Sequence, residues 1–99
     1  MIKIQEVKNN IEINLTPTGY REYYSTIINY NGKKYEITAL LFEEPSWFGI
    51  DNGKISKLSI AILDDDWNRN LVCNYDRGWD VKPKGDAKKI YDAIISKYN

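Results

Sequence analysis

Three neighbouring acids, Asp64-Asp65-Asp66, open the stretch of the chain where side chains capable of chemistry are densest. Asp64, Asp66, Asn68 and Asn70 place oxygens at alternate positions, as the first half of a calcium loop does. The second half departs from that pattern. Arg69 stands at the sixth position, where the sharp turn requires Gly, and Tyr75 at the twelfth, where a bidentate carboxylate belongs. The expected structure is a polar hairpin loop. Weak divalent binding by the three acids stays open, and no metal ligand is assigned.

Other routes to catalysis are narrow. The chain has no His, which removes Ser-His-Asp, Cys-His and His-based metal chemistry. The single Cys73 lies on a predicted strand, where a free thiol behaves as a small buried hydrophobe. Asp51, Asp76 and Asp80 join the three acids at or near predicted turns, and a metal-dependent hydrolase built on these Asp residues is the remotest reading kept. Gly49 and Gly53 lead into a strand, so they do not form a phosphate-cradling loop before a helix. No cofactor is expected, and the chain is read as non-catalytic.

Binding is better supported. Trp67, beside Arg69 and the three Asp, combines residue types that dominate interface energetics with charges that steer a basic partner. Trp47, Phe48 and Trp79 form a second possible anchor, or plug the open end of a sheet. Lys82, Lys84, Lys88 and Lys89 gather at a helix start, where cations oppose the dipole and could answer an external anion. With exposed aromatics to stack bases they define the alternative, nucleic-acid binding. Interleaved Asp80, Asp86 and Asp92 weaken that field.

The elements that position these residues follow from periodicity. Ile2 and Ile4, a polar Asn9-Asn10, then Ile11, Ile13 and Leu15 suggest a short hairpin. Asn31-Gly32, flanked by β-prone runs, is the strongest turn signal in the chain. A two-residue turn there pairs Tyr30 with Lys33, Ile28 with Tyr35, Thr26 with Ile37 and Tyr24 with Ala39. That face, with Leu41, is assigned to the core. The opposite face carries Tyr23, Ile27, Leu40 and Phe42, a possible apolar contact patch.

Asp51-Asn52-Gly53 suits a tight reversal, because its residues tolerate positive φ. Leu58, Ile60 and Ile62 then alternate as a central strand, with Ile55 out of phase and implying a bulge or a late start. Leu71, Cys73 and Tyr75 form its partner, Asp76-Arg77-Gly78 turns, and Trp79-Asp80-Val81 continues extended. From Ala87, Ile90, Tyr91, Ile94, Ile95 and Tyr98 mark one helical stripe, with Asp86 as the expected N-cap. The fold class is α+β: five or six antiparallel strands with one C-terminal helix packed on one face, in a single domain over residues 1–99.

Acidic and basic residues number 14 each, so there is no global field for nucleic acid or anionic membrane. One Cys and the lack of a leader-like or membrane-spanning apolar run point to the cytoplasm. Monomer and homodimer are both compatible with the pattern.

Phe48-Gly49-Ile50-Asp51-Asn52-Gly53-Lys54-Ile55-Ser56-Lys57-Leu58 and Asn74-Tyr75-Asp76-Arg77-Gly78-Trp79-Asp80 resemble the signature of a small uncharacterised domain family of phages and other mobile elements of Gram-positive bacteria. The resemblance covers roughly residues 34–98. It implies no catalytic residues, and it implies a structural corner at Asp76-Arg77-Gly78-Trp79 with Arg77 and the Asp residues pairing locally. It also implies a mode of action: binding and blocking a host protein, such as a CRISPR nuclease or another defence effector. On this reading Asp64, Asp65, Asp66, Trp67, Arg69, Tyr23 and Phe42 meet a protein partner.

Overall fold

The computed structural model describes residues 3–99. Among the described residues, seven strands form one sheet: β1 (Ile4–Val7), β2 (Thr16–Pro17), β3 (Tyr23–Tyr30), β4 (Lys33–Leu41), β5 (Ile55–Leu63), β6 (Arg69–Asp76) and β7 (Trp79–Val81). One helix, α1 (Gly85–Tyr98), follows. The strands run in the order β1-β3-β4-β5-β6-β7, with β2 on β3, so β4 and β5 are central. All pairings are antiparallel except β1 with β3.

The β3–β4 hairpin has the expected register, Tyr30 opposite Lys33 through Tyr24 opposite Ala39. Asn31 and Gly32 take φ of 51° and 78°, the left-handed pair that matches the twist of the flanking strands. Ile28, Tyr30, Tyr35, Ile37 and Ala39 are buried on one face. Ile55, Leu58 and Ile60 of β5, Cys73 and Tyr75 of β6, and Ile90, Tyr91 and Ile94 of α1 join them in one cluster. The bulge expected near Ile55 lies at Ser56 of β5, between Lys57 opposite Leu40 and Ile55 opposite Leu41 of β4. A second bulge lies at Val72 of β6, between Cys73 opposite Ile60 and Leu71 opposite Ala61 of β5, and Ile62 beyond it is only partly buried.

The N-terminal hairpin does not form. Ile2 lies outside the described residues, and Ile4–Val7 pairs in parallel with Ile27–Tyr30 of β3. Ile13 and Leu15 are buried as their alternation requires, yet residues 8–15 lie in no strand. Side chains satisfy this segment instead. The Leu15 N–H donates to the Tyr98 hydroxyl at 2.8 Å, the Asn14 N–H to Gln5 Oε1 at 3.3 Å, and Gln5 Nε2 to the Glu12 carbonyl at 3.0 Å.

Asp51 and Asn52 have the expected positive φ, 50° and 58°. They form a 3-10 turn, Ile50–Asn52, inside a long loop rather than a tight reversal between strands. This loop joins β4 to β5 and is closed by Phe42 N–H to the Lys54 carbonyl at 3.0 Å. The helix starts before the expected cap. Lys84 is the N-cap and makes no side-chain capping bond, while Asp86 sits inside the first turn. Its carboxylate receives Asn31 Nδ2 at 3.3 Å.

The long loop depends on the close approach of Gly49 to Gly53. A Cβ on Gly49 would fall on the Gly53 backbone carbonyl, whereas a Cβ on Gly78 would meet open space. Gly49→Ala is therefore expected to destabilise the fold by roughly 2–3 kcal/mol, with Gly78→Ala within about 1 kcal/mol of wild type, read from urea unfolding. Equal midpoints for the two variants would contradict this account of the loop.

Candidate functional site

Side chains in the tight β5–β6 connection hold one another. The Asp64 carboxylate accepts the N–H groups of Asp66 and Asn68 on Oδ1 at 2.9 and 2.8 Å, and Asn68 Nδ2 on Oδ2 at 3.0 Å. Trp67 N–H donates to the Asp64 carbonyl at 3.0 Å, and Trp67 takes a φ of 64°. Asp64 is thus the organiser of the turn, an Asx role. Its carboxyl is held below the ordinary value of 3.8, first by the Asn68 backbone and side-chain donors and further by Asp66. Asp65 and Asp66 are exposed. Arg69 opens β6 and pairs with Glu36 across the sheet, Nε to Oε1 at 2.6 Å.

Trp67 is 46% exposed, with the Lys34 amine 4.6 Å from its ring centroid. It lies near the sheet face opposite the core cluster, because Lys34 pairs with Leu63 on that side. Ala61 and Leu63 are buried there, outside the core cluster. Tyr23 sits on the same face, opposite Leu40, half-buried and stacked on Tyr20 at 6.0 Å. Phe42 lies just past the end of β4 and is 38% exposed. The face therefore carries Trp67 and Arg69 toward one end and Tyr23 toward the other. Between them the register lines up Thr16, Ser25, Thr38, Ser59 and Asn74, one per strand. No segment read alone reveals that row of four hydroxyls and a carboxamide.

The long β4–β5 loop carries the most exposed aromatic among the described residues and a second beside it. Trp47 is 92% exposed and Phe48 61%. The backbone beneath them is tied at many points. Tyr75 Oη donates to the Phe48 carbonyl at 2.9 Å, Asn99 Nδ2 to the Ile50 carbonyl at 2.9 Å, and the Ile55 N–H to Asn99 Oδ1 at 3.0 Å. Within the loop, Ser46 N–H reaches the Gly53 carbonyl at 3.0 Å and Phe48 N–H reaches Ser46 Oγ at 3.2 Å. Trp79, by contrast, is a plug. It packs against Tyr75 at 5.1 Å and Tyr91 at 5.5 Å.

The implied corner at residues 76–79 is real as a turn: Asp76 N–H bonds the Gly78 carbonyl, and Arg77 takes a φ of 59°. Its ion pairing differs from the expectation. Asp76 pairs with Lys57 at 3.7 Å, Asp80 accepts Asn74 Nδ2 at 3.2 Å, and the Arg77 guanidinium lies 5.9 Å from the Phe48 ring centroid.

Residues 22–99 match a family described as a domain of unknown function (DUF7678). The chain belongs to that family. No curated protein and no solved structure matches the chain. The match begins at Glu22, so β3, which the motif resemblance left out, is part of the DUF7678 domain, while β1 and β2 precede it.

Within the DUF7678 domain the four helix-start lysines divide. Lys82 and Lys84 line a cavity of about 580 Å³ together with Lys33, Tyr35, Asp86 and an apolar wall. Lys88 pairs with Asp92 one helical turn on and approaches the Tyr91 ring, and Lys89 is exposed. Lys33 was invisible to linear reading because only the hairpin register brings it to this place. Cys73 is fully buried, and burial pushes its thiol up to about 12, so it stays protonated and unreactive at neutral pH. No helix among the described residues is long and apolar enough to cross a membrane.

The Asp64 turn has a pH signature. A carboxyl whose folded-state pKa is depressed adds stability above its unfolded pKa and loses it as pH falls through the folded value. Wild type should therefore melt above Asp64→Ala at neutral pH, and the gap should shrink only below pH 3.8. A constant gap across the acid range would remove the charge from this account.

Proposed function

We propose that this DUF7678 chain is a non-catalytic binding protein that captures a protein partner, with the β4–β5 loop as its principal contact. One observation carries the reading: Trp47 and Phe48 stand 92% and 61% exposed on a backbone fixed from below by Tyr75 and Asn99. Large exposed aromatics on a rigid support are what an interface anchor requires, because the partner gains apolar contact without ordering a loop. Phe42, at the start of the same loop, extends the surface.

Trp67 is a second anchor on this reading, with Asp65 and Asp66 free to steer a basic partner. Asp64 and Arg69 act through the geometry of that edge, since their polar atoms are engaged within the chain. Charge favours protein over nucleic acid here. On this face Arg69 is matched by Glu36 and Lys57 by Asp76, and the chain carries 14 basic against 14 acidic residues, so no net positive field is present to release counterions from a long phosphate backbone. The phage or mobile-element origin that the sequence motifs imply supplies the biological setting. There the chain would act in the cytoplasm by occupying and blocking a host defence effector.

The test is affinity capture from nuclease-treated bacterial lysate, followed by affinity measurement with the protein recovered. Trp47→Ala should weaken binding by at least about 2 kcal/mol, roughly thirtyfold, with the melting temperature unchanged. Trp67→Ala should have a smaller effect. Undiminished binding by Trp47→Ala, or recovery that disappears on nuclease treatment, would overturn the proposal.

A further inference from the structure

At the end of the core face where α1 begins, the chain leaves a cavity of about 580 Å³ that its own packing does not fill. The volume lies within the roughly 300–1,000 Å³ typical of small-molecule sites. Three amines converge on it: Lys33 from the end of the hairpin, and Lys82 and Lys84 from the chain entering the helix. Among the described residues none of the three forms an ion pair. Asp86 is the acid present, and Asn31 holds its carboxylate. The positive charge therefore exceeds the negative.

The helix adds donors. The first intrahelical bond is Lys88 N–H to the Lys84 carbonyl, and Lys84 caps nothing with its side chain, so the N–H groups of the first turn lack helical partners. Such a terminus favours an anion. The opposite wall is apolar, made by Ile62, Val72 and Val81. Tyr35 supplies a further and independent sign. Its side chain is 98% buried and lines the cavity, yet its hydroxyl bonds to nothing among the described residues. Burial raises its pKa, with Asp86 and Tyr30 adding to the effect, so the hydroxyl remains a donor. Among the described residues no buried side-chain nitrogen or oxygen lacks a partner, so the unbonded Tyr35 hydroxyl is the one part of that side chain left open, and it offers a donor at the margin of a cationic, half-apolar cavity.

We infer that this cavity binds a small organic phosphate with a planar or apolar body, of mononucleotide size. The phosphate meets Lys33, Lys82, Lys84 and the first-turn N–H groups. The body lies along Ile62, Val72 and Val81, and the Tyr35 hydroxyl donates to it. This site is separate from the aromatic loop, and it does not require the protein-binding reading.

Calorimetric titration with AMP, GMP, CMP and UMP, and with adenosine and inorganic phosphate as part-ligands, tests the inference. At least one mononucleotide should bind saturably, and the part-ligands at least about tenfold more weakly, as expected when both halves of the site contribute. Lys33→Gln and Lys84→Gln should each reduce affinity about tenfold. Tyr35→Phe should reduce affinity without lowering the melting temperature, because its hydroxyl makes no bond in the free protein. Lys89→Gln, outside the cavity, should bind like wild type, and so should Trp47→Ala. Absence of saturable mononucleotide binding at millimolar concentration would overturn the assignment. So would equal loss in Lys84→Gln and Lys89→Gln, or binding of a single-stranded oligonucleotide where no mononucleotide binds.

Discussion

The two residues Asn31 and Gly32 decide where nearly every functional group of this chain ends up. Their positive φ angles admit only a two-residue turn, and a two-residue turn admits one register. A slip of one position would carry Lys34, Glu36 and Thr38 into the core and turn Tyr35, Ile37 and Ala39 out to water, which the buried face forbids. The same turn places Lys33 and Tyr35 on the side where the helix begins. Asn31 then ties itself there through the Asp86 carboxylate. Local backbone geometry thus sets the lining of the cavity, although the cavity's other walls come from much later in the chain.

That hairpin was legible because all its determinants lie within twenty or so residues and obey a period of two. So were the β5 strand, its early bulge and the buried stripe of α1. The N-terminus was misread for a physical reason. Alternating Ile11, Ile13 and Leu15 does report one buried side, but alternation does not say what satisfies the backbone. Here the Tyr98 hydroxyl and Gln5 take that role, and the free outer edge of β3 accepts β1 in parallel instead. A parallel pairing leaves no turn signal to read. Asp86 likewise has the chemistry of an N-cap, yet the tie to Asn31 uses its carboxylate elsewhere.

The candidate sites were legible in part. Lysines near a helix start are visible in sequence, but which of them share a cavity is not. Lys82 and Lys84 do so with Lys33, while Lys88 is drawn to Asp92. The acidic loop shows the converse. Its composition suggested steering charge throughout, whereas Asp64 is taken up by three hydrogen bonds of its own turn. The polar row from Thr16 to Asn74 exists only once five strands are in register.

Trp47 and Trp79 show why exposure has to be weighed against tethering. Trp79 lies between Tyr75 and Tyr91, and its ring contributes to the fold by burial and edge-to-face contact. Trp47 contributes almost nothing to the folded state, with 92% of its surface in water. Yet the loop that presents it is among the most heavily bonded irregular segments of the chain. Its anchors, Tyr75 and Asn99, belong to the core strand β6 and the end of α1. The loop's ordering entropy is therefore incurred when the core folds, before any partner arrives. A flexible loop would have to incur it on binding, at a cost in affinity. Rigidity beneath and apolar exposure above are together what the proposed contact with a protein partner requires.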